Sequence, residues 1–149
     1  QSEYFEFDIL SYVGPFVNCK ALKSVGLVNP SYFIYCDDGE HSLRLKKYGK
    51  LLCVPSIKIT HEGGAEERKS DNNIIYSWRD YYQNRNYMNM TLRHYPLVAI
   101  YQWLRFLVVE YIPHHHDVYY KMKKKSLADG LFNHLGKHPL YKPGWQINN

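Results

Sequence analysis

Cysteine is scarce in this chain. Cys19, Cys36 and Cys53 are widely spaced, with no Cys-x-x-Cys pair. An odd number excludes a complete disulfide framework, so the three read as reduced, buried small residues of a cytosolic chain. No apolar run reaches the about 20 residues that a membrane-spanning helix needs. The N-terminus carries no signal-peptide pattern, and no internal repeat or low-complexity tract is present. The opening QSEYFEFD has no Met and reads as the interior of a longer protein. No nucleic-acid-binding motif is recognisable, which argues against RNA or DNA as the partner.

What is present suits one domain with a real core, since 149 residues bury enough surface for that. Tyrosine dominates the aromatics, with 15 Tyr against 6 Phe and 3 Trp. A tyrosine has a flat apolar face and a polar tip, which suits sugar-lined grooves, interfaces and membrane surfaces as well as an ordinary core. The net charge of +5 is uneven. From Tyr119 onward there are six lysines (121, 123, 124, 125, 137 and 142) against one acid, Asp129. Such an end favours an anionic partner, phospholipid or nucleic acid, or is a solvated face.

The pattern along the chain predicts short elements. Ser2 to Phe7 reads as an extended lead-in. Asp8 to Asn18 reads as a strand, a tight turn at Gly14-Pro15 and a return. Cys19 to Val25 is a short helix stopped by Gly26, and Leu27 to Cys36 is an aromatic loop turning at Asn29-Pro30. Asp37 to Tyr48 is a helix closed by Gly49, with Asp37 and Glu40 spaced as a capping box. Leu51 to Val54 and Ile57 to Thr60 are short strands around Pro55-Ser56. Glu62 to Asn73 is a polar loop.

From Ile74 to His94 a longer helix carries Trp78, Tyr81, Tyr82, Arg85, Met88 and Leu92 at three- and four-residue spacing, a packing stripe in which Arg85 is the exception to explain. Pro96 suits the first turn of an apolar helix over Leu97 to Ile112, buried or lying in a membrane interface, which Pro113 ends. Val118 to Leu135 is the last helix, stopped by Gly136, before a turn-rich tail from Pro139.

The stretch YFIYCDDGEHSLRLKKYGKLLCVPSIKITH, Tyr32 to His61, resembles the family-2 glycosyltransferases. It has an aromatic run, an acid pair, a further acid, a Leu-Arg helix, a glycine and a strand ending in His. Upstream, SYVGPFVNCKALKSVGLVNPSYFIY is similar to the same family. Downstream, WRDYYQNRNYM and ADGLFNHLGK resemble the galactofuranosyl- and rhamnosyltransferase branch.

The resemblance runs from about Asp8 to Lys137. It implies an α/β chain: the acceptor-side half of a GT-A catalytic domain over 1–70, with few strands and short helices. A C-terminal helical region over 71–138, expected to associate with a membrane, and a tail over 139–149 follow. It further implies transfer of galactofuranose, rhamnose or a similar sugar, with inversion, from a nucleotide-sugar to a cell-surface glycan or lipid-linked acceptor, at the inner face of the cell membrane. Asp38 falls at the position of the general base and Asp37 at that of an acceptor-binding acid. His61 falls at that of a ligand to Mn²⁺ or Mg²⁺.

The family's nucleotide-binding half, with its metal-binding Asp-x-Asp, lies N-terminal to the segments matched here. No Asp-x-Asp occurs in this sequence, so this chain alone is expected to be inactive. HEGGAEE after His61 also lacks the aromatic residue that some galactofuranosyl members place nearby.

The residue types fit that chemistry. A carboxylate takes the proton of an attacking hydroxyl, and a divalent cation offsets the charge of a departing diphosphate; Asp and His suit Mn²⁺ or Mg²⁺ better than thiolates would. Tyr32, Phe33, Tyr35 and Trp78 offer faces for sugar stacking, and Arg85 a charge for a phosphate or carboxylate, so Tyr32, Trp78 and Arg85 join Asp37 as acceptor-side candidates. The bland readings stay open beside these. In them the acid pair simply starts a helix, His61 hydrogen-bonds at a strand end, Glu40 caps, Arg85 forms a structural ion pair and the aromatics form core. Two other functions compete: a non-enzymatic module binding anionic membranes through the basic C-terminal helices, and a metal-dependent hydrolase built on Asp37, Asp38 and His61.

Overall fold

The computed structural model describes residues 3–60 and 76–147, and these form two compact units. The first comprises Gln1–Val28 with Asp38–Ile74; the second comprises Asn29–Asp37 with Ile75–Asn149. The aromatic segment before the acid pair therefore belongs with the C-terminal helices. The architecture is mixed but mostly helical, with two short strands among the described residues.

In the first unit, β1 (Phe5–Glu6) pairs antiparallel with β2 (Leu52–Cys53), Phe5 opposite Cys53. No strand forms over Asp8 to Asn18 or Ile57 to Thr60. The turn at Gly14 is real: φ is +74°, and a Cβ there would meet Ile59 Cδ1 at 2.3 Å. Helix α1 (Cys19–Val25) starts where the Asn18 side chain accepts the Lys20 N–H at 2.8 Å and stops at Gly26, φ +79°. Cys19, expected to be buried, is exposed at its first residue, because only Ala21 of this short helix is buried.

Helix α2 runs from Asp37 to Tyr48, as the sequence predicts. Asp37 is its first residue, not its cap. Glu40 is buried and forms a two-oxygen ion pair with Arg44, at 2.9 and 3.0 Å. The same guanidinium donates to the Val25 carbonyl and, at 2.9 Å, to the Leu27 carbonyl, so a cation satisfies chain ends left open where α1 terminates.

In the second unit, α3 (Trp78–His94) begins later than the periodicity suggests. Ser77 caps it, and the Ser77 N–H donates to Asp80 Oδ2 at 2.7 Å, completing a capping box. Helix α4 (Pro96–Arg105) continues as a π-helical stretch, Phe106–Tyr111, and a last turn α5 (Ile112–His114). The helix passes Pro113 instead of ending there. The widened turn before it has left the i−4 register in which a proline ring meets a carbonyl. The Arg105–Glu110 ion pair, 3.0 Å across a five-residue spacing, fits that wider turn.

Helix α6 (Val118–Leu131) is shorter than the predicted span to Leu135, because Phe132 already leaves it and Asn133 is left-handed. Met88, Ala99, Phe106 and Leu127 form one core cluster; Tyr81, Tyr82, Met122 and Tyr141 form the other. The tail joins this unit: Trp78 N–H donates to Trp145 O at 3.0 Å and Ile147 N–H to Tyr76 O at 2.9 Å.

Candidate functional site

The segment leading to the acid pair is a strained arch. Asn29 caps a 3-10 turn, Pro30–Tyr32. Phe33 then takes φ +66° and ψ −54°, and the Ile34 N–H returns to the Tyr32 carbonyl at 2.8 Å. That is the rarer, strained form of the γ-turn. Tyr35 and Cys36 follow at φ +66° and +61°. None of the three is glycine, and left-handed backbone costs such residues about 1–2 kcal/mol each.

Two adjacent side chains of α3 hold the arch. Asn86 Nδ2 donates to the carbonyls of Tyr32, Ile34 and Tyr35 at 2.9, 2.7 and 3.0 Å. Arg85 reaches the Tyr32, Ser31 and Gly136 carbonyls at 3.2, 3.5 and 2.6 Å, and its Nε donates to Asn86 Oδ1 at 2.9 Å. Both residues are fully buried. The guanidinium also lies 4.7 Å from the Tyr82 ring centroid and 5.7 Å from that of Tyr81. Burial holds its pKa below the usual arginine value. This is the physical account of an arginine inside an aromatic stripe: it gives buried carbonyls on two segments, Ser31 and Tyr32 on one and Gly136 on the other, a shared charged donor.

Tyr32 and Arg85, expected beside an acceptor, are therefore enclosed. The Tyr32 hydroxyl donates to Asn89 Oδ1 at 3.0 Å and the ring is wholly buried. Sequence reading took both as ligand-facing because aromatic and cationic types serve sugars and phosphates equally well. Trp78 is half-buried, in tilted contact with Phe33 at 6.2 Å and edge-on to Tyr82 at 5.9 Å.

A second polar group braces the same unit. Tyr81 donates to Asp129 Oδ2 at 2.6 Å, and Lys125 reaches the same oxygen at 2.6 Å. Burial pushes the Tyr81 phenol well above its ordinary value, and the bond to Asp129 adds to that. Burial opposes the Asp129 charge, yet the bonds from Lys125 and Tyr81 outweigh it and hold the carboxyl below the usual range.

In the first unit, Asp38 is half-buried in the first turn of α2. Its Oδ1 accepts the Gly39 N–H at 2.7 Å, which orients the carboxylate. Its carbonyl accepts from Ser42 Oγ at 2.7 Å. One turn on, His41 is buried between Tyr12 and the Gly26 carbonyl, 2.9 Å from Nε2. With both ring nitrogens engaged it is a packing residue. Asp37, also half-buried, starts α2 directly after the arch. A hollow of about 410 Å³ in this unit, lined by Glu6, Asp8, Lys46 and Lys50 among others, contains none of the expected site residues.

His61 lies outside the described residues, and among those described no group of three His, Cys, Asp or Glu side chains could hold a metal ion. Sequence reading missed Asn86, whose one signal was its place beside Arg85 in the Arg-Asn segment. Compared with family models, curated proteins and solved structures, the chain matches none.

Proposed function

We propose that this chain is the acceptor-side part of an inverting glycosyltransferase of the family-2, GT-A class. It would transfer galactofuranose, rhamnose or a similar sugar from a nucleotide-sugar to a cell-surface glycan or lipid-linked acceptor at the inner membrane face. One observation carries the reading. Three left-handed non-glycine residues, held by a buried Arg-Asn clamp, run directly into the Asp37-Asp38 pair. Backbone strain of this kind persists where the surroundings over-determine it, and it concentrates at functional sites.

In this reading Asp38 is the general base. Gly39 N–H holds Oδ1, and Oδ2 takes the acceptor hydroxyl proton. The hydroxyl oxygen bonds to the anomeric carbon as the bond to the nucleoside diphosphate breaks on the opposite face, which inverts the centre. Asp37, its neighbour in the chain, is the acceptor-binding acid. The donor's nucleotide and its cation would be held largely by residues other than those described, with His61 as this chain's contribution.

The test is Asp38→Asn in the full-length enzyme, assayed with candidate nucleotide-sugars. Loss of a positioned base should lower turnover about 10²–10⁴-fold, with the unfolding midpoint unchanged. Turnover equal to wild type would remove Asp38 from the mechanism.

A further inference from the structure

We infer that the outer face of α4 and its π-helical continuation docks in the plane of an anionic lipid surface. The inference stands on the helix faces and the charge around them, independently of the glycosyltransferase reading.

The helix is apolar on both sides. Ala99, Trp103 and Phe106 face inward, packed with Met88 and Leu127. A helix with one side on a core normally presents charged residues on the other. Here Leu97, Tyr101, Leu104, Val108 and Ile112 point outward, at spacings of four, three, four and four. Leu97 is 81% exposed, Tyr101 65% and Val108 63%. At 1.5 Å per residue they form a ridge roughly 20 Å long. No acidic residue occurs from Pro96 through Val109. Among the described residues no helix is long and apolar enough to cross a membrane, so the ridge lies along a bilayer and not through it.

Charge selects the occupant. From Pro96 to Lys125 there are five cations, Arg105, Lys121, Lys123, Lys124 and Lys125, against two acids, Glu110 and Asp117. Arg105 and Lys123 both pair with Glu110. Lys124 Nζ lies 4.4 Å from the centroid of Tyr111, on the ridge helix itself, and Lys121 is exposed on α6. A second copy of the chain would set this lysine-flanked face against its own like charges, because a two-fold interface pairs a patch with itself. Anionic headgroups complement it, at about fivefold in affinity per lysine near the surface. Tyr95 and Tyr101, both exposed, are side chains that favour the headgroup level.

The experiment is co-sedimentation of the full-length protein with phosphatidylcholine vesicles, with or without about one third phosphatidylglycerol. Wild type should bind the anionic vesicles and release them as salt is raised. Leu104→Asp/Val108→Asp should bind at least about tenfold more weakly, and Lys121→Gln/Lys124→Gln about fivefold more weakly per lysine. Both variants should keep the wild-type unfolding midpoint, since all four side chains lie at the surface or on its edge. Wild type that ignores anionic vesicles, or an aspartate pair that binds as well as wild type, would overturn the inference. So would a wild-type dimer in sedimentation that the aspartate pair turns into monomers.

Discussion

The carbonyl oxygen of Tyr32 accepts the side-chain amide of Asn86 at 2.9 Å while also receiving the Ile34 N–H at 2.8 Å and Arg85 at 3.2 Å. Three donors on one oxygen, at the foot of a strained γ-turn, identify the point where α3 holds the arch. Asn86 Nδ2 has two hydrogens and three carbonyls within 3.0 Å, so at least one hydrogen is shared.

Asn86→Asp tests that clamp with almost no change in shape. The new oxygen stands where Nδ2 was, facing three carbonyls with a negative charge. Arg85 beside it offsets only part of the repulsion, and buried acceptors left without a donor cost about 1–3 kcal/mol each. We expect a loss of about 2–4 kcal/mol by urea unfolding. With Cys19 and Cys53 replaced by serine, Cys36 at the end of the arch should be alkylated several-fold faster in the variant. An unchanged alkylation rate would show that the amide does not hold the arch.

Arg85→Lys keeps the charge and loses the fork. One ammonium cannot serve carbonyls on both sides of the unit, at Tyr32 and Gly136, and also the Asn86 oxygen. Hydrogen bonds from a charged donor contribute about 1.5–3 kcal/mol each. The variant should therefore unfold about 3 kcal/mol more easily, with its near-ultraviolet tyrosine signal altered by the lost contact with Tyr82. A lysine variant as stable as wild type would reduce Arg85 to a point charge.

At Gly130, α6 lies tight against α3. A Cβ there would lie 2.3 Å from the Arg85 carbonyl oxygen and 2.9 Å from Met88 Cβ. Helix propensity alone favours Gly130→Ala by about 1 kcal/mol. Overpacking against backbone costs about 1–3 kcal/mol and also disturbs the turn that carries Arg85, so the net effect should be destabilising. Calorimetry giving a higher midpoint for the alanine variant would show that the two helices can separate at little cost.

Periodicity made the helices legible and left the arch invisible. Asp37–Tyr48 and Cys19–Val25 match their predicted bounds because Gly49 and Gly26 stop them. The start of α3 was missed by a few residues, although Ser77 and Asp80 carry a capping-box spacing. The short runs after Pro55 have strand composition but no partner strand among the described residues, and pairing is not a local property. The arch was read as a loop because Phe, Tyr and Cys normally avoid positive φ. Long-range bonds from Arg85 and Asn86 to the carbonyls of Tyr32, Ile34 and Tyr35 help hold the segment there. The acid pair could be found as residue types, but the enclosure of Tyr32 and Arg85 is tertiary and no spacing announces it.

His138 makes stability depend on pH. Its Nδ1 accepts the Leu140 and Tyr141 N–H groups at 3.1 and 3.2 Å, so the folded ring must keep that nitrogen unprotonated. Burial, with the positive charge of Lys125 next in weight, holds its pKa below the usual value of 6.5; Asp129 opposes this and Arg85 adds to it. The unfolded chain then takes up the proton first. The contribution is fully present above about pH 6.5 and declines as pH falls from there through the lower folded value. Asp129 behaves alike at more acid pH: its carboxyl is depressed, so its share is present above 3.8 and is lost only as pH falls through its folded value. Urea midpoints should hence be level from pH 8 to 7 and fall between pH 6.5 and 5, before Asp129 titrates. His138→Asn puts an amide oxygen near the place of Nδ1 and does not titrate, so it should flatten that fall while keeping most of the stability at pH 8. A slope between pH 6.5 and 5 as steep in the asparagine variant as in wild type would assign the proton to another group.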